Sequence, residues 1–162
     1  MQRSRGNLYL IVDFALSFGV AFYLLLSVMY RGLPPLLGFF FVTLVVLKFE
    51  HENKFKKYNF AYYFAIFYLF CAEQIYGFNL FSIALAYIIF YTFIYEFSLR
   101  NIKFRNFLLA LYVLIAYALI LGVNGAISYI KKADAMSVGS EYLSYIVVDI
   151  LLSLLFFKGR FV

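Results

Sequence analysis

The sequence predicts an all-α integral membrane protein: about six transmembrane helices in a single polytopic domain covering residues 1–162. Three observations carry that reading. Hydrophobic residues make up 66% of the chain and charged ones 14%, where a soluble domain has about a quarter charged. Its apolar residues fall into separate runs that approach or reach the ~20 residues needed to cross a bilayer. The basic residues collect in the short stretches between those runs, and mostly on one side of them.

Taken in order, Arg3 and Arg5 precede a first apolar run over 8–30. It is too long for a signal peptide, and Ser27-Val-Met-Tyr-Arg31 offers no small-x-small cleavage site, so an uncleaved span is expected, with Asp13 near its start. Gly32-Leu-Pro-Pro35 is a turn, and the two prolines are expected in the first turn of the next helix, where a missing N–H costs nothing. That second span, 32–47, is short. Residues 48–59 mix both charges and predict a polar loop. The third span, 60–76, closes on the segment Cys71-Ala-Glu-Gln-Ile-Tyr-Gly-Phe-Asn-Leu-Phe81. Its turn, 77–79, is too tight for anything but an antiparallel hairpin with the fourth span, 80–97. A basic stretch over 98–106 leads to the fifth and longest span, 107–130. A second polar loop, 131–141, precedes a short sixth span, 142–157, followed by Lys158 and Arg160.

Orientation follows from the basic residues. Six spans put Arg3, Arg5, Lys48, Lys54, Lys56, Lys57, Arg100, Lys103, Arg105, Lys158 and Arg160 on one side, and Arg31, Lys131 and Lys132 on the other. The side with eleven is cytoplasmic, which puts both termini there and makes this a multi-pass protein of a cytoplasmic membrane. An odd number of spans would destroy the split. The net charge of +6 is therefore a topology signal and not a nucleic-acid footprint.

Polar residues inside apolar runs are where function or architecture must be sought. Glu73 ends the third span, either reaching the outer interface or locking the hairpin with Gly77 and Asn79. Gly77 fits a turn that requires a left-handed backbone. Asp149 is central in a short span and is read either as a functional or partner-binding acid or as an internal hydrogen-bond acceptor. Ala118, Gly122 and Ala126 recur every four residues on one face of the fifth span, a spacing that lets two helices approach closely, in this chain or with a partner. Glu96 and Arg100 make an ordinary surface helix pair, and His51 lies in a charged stretch.

Catalytic chemistry has no signature here. The chain lacks H-E-x-x-H, G-x-S-x-G and a phosphate-binding glycine loop with its lysine. One cysteine, Cys71, and one histidine exclude an intrachain disulfide and a conventional zinc set. No catalytic, cofactor-binding or metal-binding residue is expected.

The layout resembles MreD, the rod-shape-determining membrane protein family of bacteria. The length, the six spans with both ends inside, and Arg31-Gly-Leu-Pro-Pro35 before the second span are similar to that family. Its most specific feature is an acid in the third span, then Gly four residues on, then a Leu-Gly turn. Here it reads Glu73-Gln-Ile-Tyr-Gly77-Phe-Asn-Leu80-Phe81, with Glu for the usual Asp and Phe81 where Gly is common. The resemblance implies a non-enzymatic scaffold in the cell-elongation and peptidoglycan-synthesis complex of the bacterial inner membrane. It implies an MreC-like protein, a RodA-type glycosyltransferase and a class-B penicillin-binding protein as partners, and no cofactor. The alternative is a six-span small-molecule carrier, such as a vitamin-uptake substrate-binding subunit, with Glu73, Asn79, Asn124 and Asp149 lining a polar pocket. A membrane enzyme acting on lipid-linked substrates is a third reading.

Overall fold

Helices account for nearly all of the computed structural model, which describes residues 18–30, 33–55, 57–102, 105–132 and 139–158, with no strand among them. Among the described residues there are six: α1 (Phe18–Met29), α2 (Leu37–Lys54), α3 (Phe60–Ile75), α4 (Ser82–Asn101), α5 (Arg105–Lys131) and α6 (Glu141–Phe157). Each falls within or across one of the apolar runs. The beginning of the first run, with Asp13, lies outside the described residues, as do Arg31, Gly32 and residues 133–138. Two helices, Ser82–Asn101 and Phe107–Lys131, are by themselves long and apolar enough to cross a membrane.

α2 is the hub. Its residues 37–46 are apolar all round but for Gly38 and Thr43, as expected of a helix enclosed by others. Leu37, Phe41, Val42, Val45 and Val46 are all essentially inaccessible, and α3, α5 and α6 pack against them. Much of the outside of the bundle is apolar too. Phe93, Phe97, Leu143 and Leu155 are each exposed by 69–76%. A surface of that kind is unsuited to water.

The first polar stretch of the sequence departs from expectation. Residues 48–59 do not form one loop, because α2 continues to Lys54. Lys and Glu are good helix formers, so charge alone does not end a helix. The extension is tied down on one side: Tyr91 O–H donates to Glu52 Oε1 at 2.6 Å, Lys48 Nζ lies 3.2 Å over the Tyr91 ring, and His51 stacks on Tyr58. Phe55, in the left-handed region at φ 51°, ends it.

α4 contains a π-helical turn over Phe90–Tyr95 that nothing in the sequence announces. Residues five apart diverge by about 140° around an α-helix. The wider turn brings Phe90 and Tyr95 back onto one face, and both are buried. Phe90 then packs edge-on against Phe41 and Tyr112.

Candidate functional site

Two helices in the bundle begin on residues that have no side-chain acceptor to cap them. The N-cap residue of α2 is Leu36 and that of α4 is Phe81, and neither side chain can accept a hydrogen bond. Both sit in the left-handed region, at φ 52° and 66°. In each case a carboxylate from another helix supplies the missing acceptor, and these are the two acids singled out in the sequence.

Asp149 does this for α2. Its Oδ2 accepts from the Gly38 N–H at 2.8 Å, the Phe39 N–H at 3.2 Å and the Tyr117 hydroxyl at 2.8 Å. Asp149 is 0% exposed. The positive end of the α2 dipole faces the acid. Gly38 is required by this arrangement: a Cβ there would stand 2.8 Å from Tyr117 Cε2, 2.9 Å from Asp149 Oδ2 and 2.9 Å from Val113 Cγ1. The start of α2 lies at mid-depth in the bundle, since Tyr68, Tyr117 and Asp149 all sit near the middle of their helices. The non-helical residues before it are held by tyrosines: Tyr23 O–H donates to the Pro34 carbonyl and Tyr68 O–H to the Pro35 carbonyl. The prolines are thus not in the first turn of α2, as the sequence led one to expect. They precede it, and their carbonyls need partners because the chain is already enclosed there.

Glu73 does the same for α4. It is 1% exposed, so it does not reach out to an interface. Its Oε1 accepts from the Ser82 hydroxyl at 2.9 Å and the Ile83 N–H at 3.0 Å. The turn between α3 and α4 is built around Gly77, at φ 72°. The Phe78 N–H returns to the Glu73 carbonyl and the Gly77 N–H to the Gln74 carbonyl, a Schellman ending in which Gly takes the left-handed position. Asn79 then docks the turn on α5. Its N–H and side-chain amide donate to Asn124 Oδ1 at 2.8 and 2.9 Å, the amide also donates to Ser128 Oγ at 2.8 Å, and Lys131 Nζ donates to Asn79 Oδ1 at 3.0 Å.

Beside Glu73 is a cavity of about 220 Å³. It lies between α3 and α4, with buried Leu44 of α2 at its back. Tyr62, Ile66, Leu69, Ala84 and Tyr87 form its walls, and the exposed Phe70 and Ile88 stand at its rim. Apart from the Glu73 carboxylate and the Tyr62 hydroxyl, the lining is apolar, because the Tyr87 hydroxyl is shut off from the space. Asp149 is not part of it, and Asn79 and Asn124 are engaged with each other, so the four polar residues expected to line one pocket are split among three places.

The Ala118, Gly122 and Ala126 stripe is not packed against another helix among the described residues. All three are exposed, and nothing lies within 4 Å of a Cβ built on Gly122. The inward ridge of α5 is Ala116, Ile120, Asn124 and Ser128, with the same spacing two residues out of phase. Asn124 and Ser128 need buried partners, and that decides which ridge turns inward. Glu96 and Arg100 pair on the surface at 3.3 Å as expected.

Gly38, Tyr117, Ser82 and Tyr87 were not legible as site residues. Only Gly38 left a signal: a lone glycine inside an apolar helical run has a packing reason more often than not. Comparisons with family models, curated proteins and solved structures find no match to this chain.

Proposed function

We propose that this chain is a six-span, non-enzymatic component of the bacterial cytoplasmic membrane that acts as a scaffold in the cell-elongation complex, with both termini inside. The observation that carries this reading is the use made of its two membrane-depth acids. Each holds the start of another helix, so the charges that would ordinarily point to chemistry are committed to architecture. Such a protein acts through helix faces and a small outer surface. The segment from Glu73 to Phe81, which carries the resemblance to MreD, is one structural unit here: acid, left-handed Gly77, docked Asn79 and capped α4. The outward apolar side chains and the eleven-to-three division of basic residues support the membrane topology.

The test is recovery of partners from a bacterial membrane with a tagged full-length chain. An MreC-like protein, a RodA-type glycosyltransferase or a class-B penicillin-binding protein is the expected companion. Gly122→Leu adds bulk to the exposed small-residue stripe, where a Cβ meets nothing among the described residues. It is expected to leave membrane levels unchanged and to reduce partner recovery. Recovery of none of the three partners by the wild type contradicts the proposal. The cavity favours a second reading, a carrier of small apolar molecules. For that reading the purified chain retains a specific small molecule and no protein partner.

A further inference from the structure

We propose that the cavity between α3 and α4 binds a small organic cation, an ammonium group on an apolar body the size of one benzene ring, taken up sideways from the bilayer. The argument starts from Glu73 alone. Its Oε1 accepts from the Ser82 hydroxyl and the Ile83 N–H, and Oε2 has no hydrogen-bond partner among the described residues. Oε2 is not shut away as Asp149 Oδ1 is. Glu73 is only 1% exposed and lines the cavity, so the little surface it keeps is turned into that space.

Charge decides the class. Among the described residues no Lys, Arg or His forms an ion pair with Glu73. The N-terminus of α4 brings roughly half a positive charge to it, which leaves the rest of the carboxylate charge uncompensated in an apolar setting. Buried charges are normally paired. A fatty acid or a phosphate would set two anions together there, and a neutral molecule would leave the charge unmet. A cation answers it.

The walls point the same way. Tyr62, Phe70 and Tyr87 line the space, and aromatic faces attract ammonium groups. The Tyr87 hydroxyl is sealed off, so this residue offers its ring and not its O–H. One turn further along α4 the chain makes such a contact from its own residues: Lys48 Nζ sits 3.2 Å over the Tyr91 ring, whose hydroxyl donates to Glu52. Around the cavity the chain supplies a carboxylate and rings, and no ammonium of its own among the described residues. Size sets the apolar body. Benzene fills an engineered cavity of about 150 Å³, so about 220 Å³ takes one ring with a short ammonium arm. A lysine side chain from another protein would leave much of that volume unfilled. The route in is lateral, because Phe70 and Ile88 at the rim are exposed on the outside of the bundle, 41% and 58%, while Leu44 closes the back. This inference goes beyond the scaffold reading and does not depend on it.

The experiment uses the full chain in phosphatidylcholine nanodiscs with 2-phenylethylammonium carrying a diazirine on its ring as photoprobe, followed by peptide mapping. Adducts are expected on α3 between Ile66 and Glu73 and on α4 between Ile83 and Ile88. Unlabelled 2-phenylethylammonium should displace them. 2-Phenylethanol, of the same size without the charge, and 3-phenylpropanoate, of the opposite charge, should not. Glu73→Gln keeps an acceptor for α4 and removes the charge. A hydrogen bond between charged groups is worth about one to two decades in affinity, so Glu73→Gln should weaken competition by 2-phenylethylammonium about tenfold or more. Ala84→Phe keeps Glu73 and fills the space, and should abolish labelling with helicity by circular dichroism unchanged. The comparison of the three competitors on the wild-type chain stands whether or not either variant folds. Adducts spread evenly over outward residues such as Phe93 and Leu155, equal displacement by 2-phenylethanol, or no adduct in the cavity would each overturn the proposal. Partner recovery in the scaffold test is a separate readout, so failure of one does not imply failure of the other.

Discussion

The starts of α2 and α4 are built to one plan and finished differently. Each has an apolar, left-handed N-cap residue, and each borrows a carboxylate from another helix, α6 for α2 and the preceding α3 for α4. At α2 the carboxylate is sealed. Three donors converge on one oxygen of Asp149, and there is no room even for a Cβ on Gly38. At α4 two donors meet one oxygen of Glu73, and the other oxygen adjoins a cavity. The difference teaches that burial and a shared capping role do not make two acids alike. What distinguishes them is whether the unused lone pairs face protein or space.

Removing the acids should expose that difference most strongly. Asp149→Ala strands two amide N–H groups and a phenol in a site that nothing can refill. We expect a loss of about 4 kcal/mol or more, read as a large fall in unfolding temperature in detergent. Glu73→Ala strands two donors beside an open cavity, where solvent or lipid oxygen can partly replace the carboxylate. Its cost should be smaller, about 2 kcal/mol. Equal losses, or the reverse order, would break the comparison.

Gly38→Val tests the sealed site from the other side. Its branched side chain must push aside Tyr117, Val113 and Asp149 together, which costs about 3 kcal/mol by overpacking. The measurement is again thermal unfolding, supported by the amount of protein in the membrane fraction. A neutral Gly38→Val would mean that the start of α2 is looser than these distances allow.

How much of this was readable beforehand depended on distance along the chain. Apolar runs gave the helices, because burial or lipid contact acts on each run locally. Glu73 and Asp149 stood out because a carboxylate in such a run is costly wherever it points. Glu73 already had the hairpin as one of its two expected places, but where Asp149 would go was hidden. Asp149 meets Gly38 across 111 residues of sequence, and Tyr117 is one of sixteen tyrosines with nothing local to mark it. The stripe of Ala118, Gly122 and Ala126 has a period of four, which fits either ridge of α5, so the spacing could not say which ridge turns inward and which is left for a partner. Residues 48–54 were read as loop from their charge, although their helix propensity was sound.

The smallest effect concerns Phe81, which stands where the resemblance to MreD expects glycine. Its φ of 66° is the physical reason a glycine fits there. Phe81→Gly relieves left-handed strain of about 1–2 kcal/mol. It also removes the edge-on contact with Phe70, worth about 0.5–1.5 kcal/mol. The two nearly cancel, so unfolding temperature should change little. A large destabilisation would show that the Phe81 ring, and not the backbone, holds the start of α4.

The central claim, one acid sealed and one acid open, is tested most directly by carboxyl labelling from within the apolar phase. Dicyclohexylcarbodiimide dissolves there and adds a carboxyl O–H across one of its C=N bonds, leaving an adduct of fixed mass. With the wild-type chain in nanodiscs at mildly acidic pH, the adduct should map to Glu73 and not to Asp149. It should disappear in Glu73→Gln and persist in Asp149→Asn. An adduct on Asp149, or equal labelling of both acids, would contradict the account.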